Sequence, residues 1–394
     1  MKDFGFRVRT NLKYGVGVSA RLGIFVKELG FHKAAIIIDA GVKSLDATAK
    51  AASSLKNEGL YVETFINDVA EPDYDYLENY KAGFMDKGFE VIIGIGGGST
   101  MDLAKGIATL VTNPGKAIEY RGFPALKSKP LPVIAIPTTA GTGSEATYNA
   151  VFTDAAQKKK LGINSEYNFP VLAILDPSFI LNCPKSVAVS SGMDALTHTL
   201  ESFVHKDHTP ISRIFSKEAF RLIFNSLMVM PDKPHDIEIC SRLQWGAYLA
   251  GIALINAGSG PSGALSYPLG AHYKVPHGMA GAVFLSTVTE FNVSRGYQDY
   301  AELYDLIEGS VRGLSIKEKN EAFVEYMKAL DEKMGIPSKL SALGLKESDV
   351  SFLIDQYDVL KKAIEQNPVD ISKKDLSDML GRMREERDLK DARI

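Results

Sequence analysis

Through the first 175 residues, short apolar runs alternate with amphipathic stretches, and this alternation limits the fold more than any other feature of the chain. The apolar runs, which have the length of buried strands, are 34–39, 60–66, 90–95, 131–136 and 171–175. Stretches with helical periodicity, such as 47–58 and 74–87, lie between several of them. Strands separated by crossover helices predict a mostly parallel α/β sheet.

The pattern changes after Asp176 and Pro177. Beyond this point strand signals nearly vanish, and four long stretches look helical, at 186–204, 211–228, 239–257 and 317–334. The sequence therefore predicts an α/β nucleotide-binding domain in residues 1–180 and an all-α domain in residues 181–394. Because no low-complexity linker separates the two, we expect them to pack around a shared cleft.

The overall composition excludes several functional classes. The 394 residues are 45% apolar and 24% charged, with a formal net charge of −3, which suits about two domains. This charge balance is not typical of proteins that bind nucleic acid or an anionic membrane, and no apolar run reaches the ~18 residues of a membrane span. The two cysteines, Cys183 and Cys240, favour a reducing compartment. We expect a cytoplasmic protein with small-molecule partners.

A carboxylate and two imidazoles are candidate ligands for a divalent metal. Asp194 and His198 are four residues apart in a segment with helical patterning, so both project from one face, a single turn apart. His277, in a Pro-His-Gly turn, is a candidate third ligand from a separate element. Aspartate and histidine together suit iron or zinc. With the loops described next, these residues indicate an enzyme.

A glycine-rich loop, Gly94 to Ser99, stands between an apolar run and a helical pattern at 100–111. Glycines let backbone amides approach a pyrophosphate, and a helix N-terminus adds positive potential. We expect Ser99 to cap this helix and Asp102 to complete a capping-box pair. The usual dinucleotide motif has an acid about twenty residues after the glycines. Here the best acid is Asp39, upstream, so the order is not the standard one.

A second polar loop, residues 137–145, follows the fourth apolar run and carries several hydroxyl donors and two glycines. Such groups suit contacts to phosphate and ribose. Two polar loops that follow parallel strands point to one crevice at the carboxyl edge of the sheet.

Four segments together resemble the iron-containing, or group III, alcohol dehydrogenase family: GGGSTMDLAKGIA (96–108), PTTAGTGSEAT (137–147), DALTHTLESF (194–203) and YPLGAHYKVPHGMA (267–280). The resemblance implies a dehydroquinate synthase-like fold, in which an N-terminal α/β domain binds NAD(P) and an all-α domain follows. It also implies a divalent metal and a substrate between the domains, a late terminal helix, and at least a homodimer.

The resemblance also implies a role for each matching residue in cofactor binding. The candidates are Gly96, Gly97, Gly98 and Ser99 for the pyrophosphate, Thr138, Thr139 and Thr142 for the adenine and ribose side, and Lys160 for the nicotinamide ribose. Asp39 matches the family's acid after the first strand. Its charge would accept from ribose hydroxyls and repel a 2′-phosphate, so NAD is favoured over NADP.

The chain departs from the family pattern at two positions. Gly263 stands where four-ligand members carry a histidine, and Tyr267 stands where another histidine is frequent. A site of three protein ligands still suits catalytic iron or zinc, although the loss of a ligand predicts a metal that is weakly bound or absent. The candidate catalytic residues are His277, Tyr267 as a proton donor or relay, and His272 as a substitute ligand.

Other acids and histidines are weaker candidates. Glu201 lies one turn beyond His198 and would either orient that imidazole or, more simply, face solvent. His205 lies roughly 16 Å along the helix from Asp194, too far to share one ion. The remaining histidines are expected to face solvent: His32, His208 and His235.

Three functional hypotheses follow from these residues. The first is NAD(H)-dependent interconversion of an alcohol and its aldehyde or ketone, assisted by the metal. The second is a metal-free or weakly metal-binding NAD(P)-dependent dehydrogenase of a polyol, sugar or carboxylated substrate. The third is a nucleotide-binding module without activity.

Overall fold

The computed structural model describes residues 3–384, and its first part contains all of the strands. The strands are β1 (Asn11–Tyr14), β2 (Lys33–Asp39), β3 (Tyr61–Asn67), β4 (Val91–Gly96), β5 (Val133–Pro137), β6 (Val151–Asp154), β7 (Lys159–Gly162) and β8 (Leu172–Leu175). The five predicted strands correspond to β2, β3, β4, β5 and β8. Strand β1 and the β6–β7 hairpin were missed, since each strand has four residues and half or fewer are buried.

Six of these strands form one parallel sheet in the order β1-β8-β5-β4-β2-β3, while β6 and β7 form a separate antiparallel pair. The register of β4 and β5 places Gly96 beside Pro137. Because parallel strands end at the same edge, the glycine-rich loop and the second polar loop lie next to each other. This confirms the predicted α/β sheet and positions one side of the site.

Fourteen α-helices and eight short 3-10 helices accompany these strands in the described part of the chain, and the α-helices position the site. They are α1 (Leu22–Glu28), α2 (Asp46–Asn57), α3 (Tyr74–Tyr80), α4 (Gly98–Thr112), α5 (Lys185–Val204), α6 (Pro210–Val229), α7 (Ile237–Ala257), α8 (Pro261–Tyr273), α9 (His277–Ser294), α10 (Tyr300–Tyr304), α11 (Ile316–Met334), α12 (Glu347–Asp355), α13 (Tyr357–Ile364) and α14 (Lys373–Arg382). Within residues 3–384, no strand follows Leu175 and no helix is long and apolar enough to cross a membrane.

The second part is helical, as expected, but five of its helices were not predicted from the sequence: α8, α9, α10, α12 and α13. Helix α8 carries Pro268 in its interior, and α9 is apolar on nearly every side, so neither shows a clear amphipathic period. His277 does not lie in a turn: it is the first residue of α9, preceded by Pro276 at the N-cap. The helix expected near the C-terminus is α14.

Buried clusters cover both faces of the sheet, and a third fills the helical part. Ile36 and Ile93 pack on one face, whereas Ile37 and Ile92 pack on the other. The predicted domain limits, 1–180 and 181–394, remain a prediction, and residues 385–394 lie outside the described part.

The two parts touch at the second polar loop. A Cβ built on Gly143 would lie 2.6 Å from Cα of Gly251 in α7, so the backbones are in direct contact there. Gln244 of the same helix donates to the carbonyl of Pro137 at 3.1 Å. The cleft between the parts is therefore closed on this side by packed backbone.

Candidate active site

Asp194, His198 and His277 converge, as the sequence predicted. Asp194 and His198 lie one turn apart on α5, and His277 begins α9, which packs against α5. Nε2 of His198 is 3.7 Å from Oδ1 of Asp194, and Nε2 of His277 is 3.9 Å from the same oxygen. One potential ligand atom from each residue lies within 4.8 Å of the others. We call these three residues the ligand trio.

The close packing of α9 on α5 depends on a glycine. A Cβ on Gly278 would lie 2.0 Å from the carbonyl oxygen of Ser190 and 2.9 Å from Cβ of Asp194. No larger residue fits without moving one helix away from the other. Gly278 therefore lets α9 approach α5 closely enough for the His277 imidazole to lie beside the Asp194 carboxylate.

A serine fixes the tautomer of His277. The Ser266 hydroxyl donates to the carbonyl of Gly263 at 2.6 Å, and its oxygen lies 3.2 Å from Nδ1 of His277. Because the serine proton is already used, this oxygen accepts from an Nδ1–H, which leaves Nε2 as the free lone pair beside Asp194. Burial lowers the pKa of His277, although Asp194 opposes this effect, so the ring favours the neutral form that binds metals.

His198 lacks the equivalent support. Its side chain is 11% exposed, and its buried Nδ1 has no hydrogen-bond partner among residues 3–384. Buried polar atoms without partners are uncommon in folded proteins. They often mark sites where a ligand or a water molecule supplies the missing hydrogen bond. A ligand bound at the other ring nitrogen, Nε2, would hold this imidazole in position.

Gly263 has no room for a side chain. A Cβ there would lie 2.2 Å from Oγ of Ser259 and 2.8 Å from Oε2 of Glu201. The space that a fourth protein ligand would need is therefore occupied by the Ser259 hydroxyl.

Glu201 has neither of the roles expected from the sequence. It is 3% exposed, so it does not face solvent, and its carboxylate bonds to the start of α8 rather than to the His198 ring. Its carboxylate accepts four hydrogen bonds, from Oγ of Ser259 and from the backbone amides of Gly260, Ser262 and Gly263. Helix α8 has no side-chain N-cap of its own, so Glu201 satisfies its free amides from a neighbouring helix. Sequence spacing could not reveal this long-range contact.

Tyr267 faces the same space as the ligand trio, whereas His272 does not. The Tyr267 ring centroid lies 5.6 Å from that of His277. Burial raises the pKa of Tyr267, and the charges of Asp194 and Glu201 raise it further, so the hydroxyl keeps its proton at neutral pH. His272 is exposed and packs against Phe352, with ring centroids 4.5 Å apart. The structure therefore does not support His272 as a substitute ligand.

One cavity of about 410 Å³ joins the ligand trio to the glycine-rich loop. Its wall includes His198, His277 and Tyr267 on the helical side and Gly98, Ser99 and Thr142 on the other. The remaining lining is mixed, and includes Leu254, Ile255, Phe152, Tyr148, Asn149, Ser259 and Gly263. A ligand in this space can touch both halves of the molecule at once.

The glycine-rich loop ends in a helix N-terminus that no described side chain caps. Helix α4 begins at Gly98 with Gly97 as its N-cap, and Ser99 already lies inside the first turn. The predicted Ser99 cap and its capping-box pair with Asp102 are therefore wrong. The amides of Thr100 and Met101 donate to the carbonyl of Gly97, so those of Gly98 and Ser99 are the ones that can bind an anion. A Cβ on Gly98 would lie 2.6 Å from the Thr142 side chain, which explains the glycine.

Asp102 belongs instead to a buried charged cluster beneath this loop. Lys105 donates to the carbonyls of Ser144 and Asn149 at 2.7 and 2.8 Å, and its ammonium lies 3.7 Å from Asp102. Burial lowers the pKa of Lys105 to about 8 and raises that of Glu145 to about 7. Burial also raises the pKa of Asp102, which accepts from the Ser144 hydroxyl at 2.6 Å. The cluster joins α4 to the second polar loop.

Asp39 ends β2 beside the glycine-rich loop, although it does not line the cavity. Its carboxylate accepts from the amide of Gly41 at 2.8 Å and from the Thr100 hydroxyl at 3.3 Å. A Cβ on Gly96 would lie 2.6 Å from the Thr100 side chain and 2.9 Å from that of Asp39. This glycine is therefore required for the acid to sit against the loop.

The three candidate threonines follow β5, but they differ in exposure. Thr138 is 4% exposed, and its amide donates to the carbonyl of Gly96 at 3.0 Å. The Thr139 hydroxyl faces Gly97, 3.4 Å from the position of a Cβ there. Only Thr142 lines the cavity. Thr139 and Thr142 therefore contact the glycine-rich loop through their side chains. Thr138 contacts it through its backbone amide.

Lys160 lies in β7 and lines the cavity. In the sequence, only the family resemblance had indicated a role for this lysine. Its ammonium forms an ion pair with Glu71 at 2.9 Å, and the lysine side chain is 9% exposed. Glu71 also lines the cavity but carries no local sequence signal.

Of the other histidines, His32 and His235 are exposed, as predicted. His208 is half-buried rather than solvent-facing, because its Nδ1 lies 2.6 Å from the carbonyl of His205. His205 is itself 5% exposed, and burial lowers its pKa.

A parallel sheet with an open helix N-terminus and a helical part with three convergent candidate ligands, joined by one cavity, are features of an oxidoreductase. The sequence model for iron-containing alcohol dehydrogenases matches residues 10–177, and the model for the C-terminal part of that family matches residues 188–383. The chain belongs to the iron-containing alcohol dehydrogenase family.

Individual relatives agree with this assignment. The NAD-dependent methanol dehydrogenase of Bacillus methanolicus is 32% identical over 339 residues, which is 86% of this chain and 89% of that one. The structure of an alcohol dehydrogenase from Oenococcus oeni gives a TM-score of 0.90 at 30% identity, over 97% of this chain and all of that one. A sulfoacetaldehyde reductase from Bifidobacterium kashiwanohense, solved with NAD+, gives 0.86 at 25% identity, over 97% and 99%. The protein is thus an alcohol dehydrogenase by family.

Proposed function

We propose that this protein oxidises an alcohol to its aldehyde or ketone with NAD+, or runs the reverse reaction with NADH, at a divalent metal held by Asp194, His198 and His277. The observation that carries the proposal is the convergence of these side chains, within 4.8 Å, on a cavity that also opens onto Gly98 and Ser99. A substrate in this cavity can therefore lie between the ligand trio and the glycine-rich loop.

The ligand trio fits a divalent ion. The two imidazole nitrogens lie 3.7 and 3.9 Å from Oδ1 of Asp194, and all three candidate ligand atoms lie within 4.8 Å of one another, so they would be able to share one ion. One carboxylate and two imidazoles suit iron and zinc alike. When bound, the ion would polarise the substrate oxygen and lower the pKa of an alcohol hydroxyl. Three protein ligands leave a position for that oxygen.

Residues of the chain itself would prepare the rest of the reaction. Ser266 holds Nε2 of His277 unprotonated for ligation, as the hydrogen bonds at 2.6 and 3.2 Å indicate. Tyr267 keeps its proton at neutral pH, so it would donate to or relay with a substrate oxygen rather than act as a base.

The cofactor would bind along the carboxyl edge of the sheet. The free amides of α4 at Gly98 and Ser99 suit the pyrophosphate. Asp39 would accept from the adenosine ribose hydroxyls and repel a 2′-phosphate, which favours NAD, and Lys160 would lie near the nicotinamide ribose. Thr138, Thr139 and Thr142 would line the adenine and ribose side. The relatives described as NAD-dependent or solved with NAD+ support this choice.

We also propose a homodimer or larger homo-oligomer that works in the cytoplasm. The oligomer is supported by the family membership. The cytoplasmic location is supported by the two cysteines, which are both free, as is typical of a reducing compartment. Light scattering during size-exclusion chromatography tests the oligomeric state.

The decisive experiment measures activity and metal together. Protein purified without chelator should contain about one equivalent of iron or zinc and should produce NADH, followed at 340 nm, from at least one alcohol in a broad panel. Asp194→Ala should lose both the metal and the activity while it still binds NADH. An enzyme that is active with no metal would favour the metal-free hypothesis, and tight NADH binding without any activity would favour the inactive module.

A further inference from the structure

Lys105 is a buried lysine that the proposed reaction does not use. It lies two turns into α4, and its side chain is fully buried, so a ligand in the cavity cannot touch it. Its ammonium donates to the carbonyl and to the hydroxyl oxygen of Ser144, both at 2.7 Å, and to the carbonyl of Asn149 at 2.8 Å. An ammonium has three protons, so all of them bind the segment that follows β5. Lys105 thus ties α4 to the second polar loop.

The side chain of Ser144 is held by both charges of the buried cluster. Its hydroxyl oxygen accepts from Lys105, and its proton is donated to Oδ1 of Asp102 at 2.6 Å. The second oxygen of that carboxylate accepts from the amide of Val151 at 2.9 Å, which fixes the carboxylate in turn. A shift of residue 144 would leave a buried charge without its partner, and that costs free energy. The serine therefore has one strongly preferred position.

The position of residue 144 determines that of the Thr142 side chain. The amide of Ser144 donates to Oγ1 of Thr142 at 3.2 Å. This oxygen lies 2.7 Å from the position that a Cβ of Gly98 would take, so it stands against the start of α4. Among residues 3–384, no group accepts the proton of the Thr142 hydroxyl. Because Thr142 lines the cavity beside Gly98 and Ser99, this proton is available to an acceptor oxygen of a ligand.

The opposite edge of the second polar loop is held by the helical part. A Cβ on Gly141 would lie 2.8 Å from Cβ of Ser191, which precedes the ligand trio in α5. Gly143 makes the backbone contact with Gly251 described above. Neither contact involves Lys105. The edge of the loop that faces the ligand trio is thus held separately from the edge that faces α4.

We infer that Lys105 and Asp102 are positioning residues for the cofactor, which act through Ser144 to hold the Thr142 hydroxyl against the glycine-rich loop. This inference rests on the proposed function and deepens it, because it explains how the cofactor side of the cavity is shaped by a lysine that no ligand touches. Loss of the link should weaken cofactor binding and leave the metal in place.

The test uses Ser144→Ala, which removes the hydroxyl between the two charges and keeps the backbone of the loop. The dissociation constant of NADH, measured by fluorescence titration, should rise about 5- to 20-fold, the effect of one disturbed hydrogen bond, and KM for NAD+ should rise with it. The kcat at saturating NAD+ and the metal content should each change less than about 2-fold. A purely structural role would lower the fraction of folded enzyme, and so the apparent kcat, without a change in the dissociation constant.

A double-mutant cycle shows whether Ser144 acts through Thr142. Thr142→Val should weaken NADH binding by a similar factor. In the double variant, Ser144→Ala should add less than about 2-fold, since the hydroxyl that it positions is already gone. Effects that multiply in full would contradict the inference. Lys105→Met combined with Asp102→Asn removes both charges together and should resemble Ser144→Ala.

Thr109→Val is the matched control. Thr109 lies one turn further along α4 and is equally buried, but its hydroxyl donates to Oδ1 of Asn168 at 3.0 Å rather than to the second polar loop. The variant should lower the temperature of unfolding and leave the dissociation constant of NADH unchanged.

The inference is overturned if Ser144→Ala binds NADH as tightly as the wild type, or if Thr109→Val weakens binding to the same extent. A wild-type protein that binds no NADH contradicts the proposed function itself. The two failures are therefore distinguishable.

Discussion

Ser266 and His277 are coupled by a hydrogen bond whose direction is determined by a third group. The serine gives its proton to the carbonyl of Gly263 at 2.6 Å, so its oxygen, 3.2 Å from Nδ1, must accept from the imidazole. Helix α8, which carries Ser266, thereby sets the protonation of the first residue of α9. The packing of α8 against α9 therefore selects the tautomer of His277 that can bind a metal.

Ser266→Ala should weaken metal binding. Without the acceptor, Nε2 no longer has a fixed lone pair, and the loss of such a partner typically reduces metal affinity about 10- to 100-fold. Competition with a chelating dye measures this affinity. Ser294→Ala is the matched control, and an affinity equal to that of the wild type in both variants would show that the serine has no part in metal binding.

Removal of the metal should abolish catalysis without releasing the cofactor. Dialysis against a strong chelator should reduce kcat at least ~100-fold, because the polarising charge at the substrate oxygen is lost. Addition of iron or zinc should restore activity. NADH binding, followed by its fluorescence, should change little, since Gly98 and Ser99 belong to the other half of the cavity. Full activity after chelation would contradict the assignment of the ligand trio.

The periodicity of apolar residues predicted the buried strands, and residue spacing predicted which side chains share one face of a helix. The buried strands β2, β4 and β5 are nearly continuous apolar runs, and the helical spacing of Asp194 and His198 placed both ligands on one face. His277 was predicted to be a third ligand from a separate element, which the structure shows to be the start of α9 rather than a turn.

Contacts between distant segments were not predictable in this way. Glu201 was expected to face solvent or His198, yet it caps α8 from a different helix. Ser99 resembled a cap, but Gly97 takes that position, and Asp102 bonds the Ser144 hydroxyl instead. These roles depend on tertiary packing, which residue spacing does not encode.

Asp39→Asn should shift the cofactor preference toward NADP+. The substitution keeps an acceptor for the amide of Gly41, at 2.8 Å, but removes the negative charge that opposes a 2′-phosphate. The ratio of kcat/KM for NAD+ to that for NADP+ should fall about 10-fold or more. Asp46→Asn, at an exposed acid in α2, is the control. A ratio that stays constant in Asp39→Asn would remove this residue from cofactor selection.

Lys105→Met should destabilise the N-terminal part. The substitution leaves Asp102 as a buried carboxylate without its cation and removes the donor from the carbonyls of Ser144 and Asn149. Breaking a buried pair from one side typically costs about 3–5 kcal/mol in the free energy of unfolding. Urea unfolding measures this loss. The double variant with Asp102→Asn should recover part of it, and strict additivity of the two changes would argue against coupling.

Asp331→Asn should stabilise the protein above neutral pH. Burial raises the pKa of Asp331 in α11 to about 7, and its buried Oδ1 has no hydrogen-bond partner in the described part of the chain. Between its usual pKa of 3.8 and about 7, the folded chain holds a proton that the unfolded chain does not, so stability falls as pH rises through this window. The neutral amide avoids this penalty. Its stabilising effect, measured by urea unfolding, should therefore be about 1–3 kcal/mol larger at pH 8 than at pH 5. An effect of equal size at both pH values would mean that Asp331 titrates normally in the folded protein.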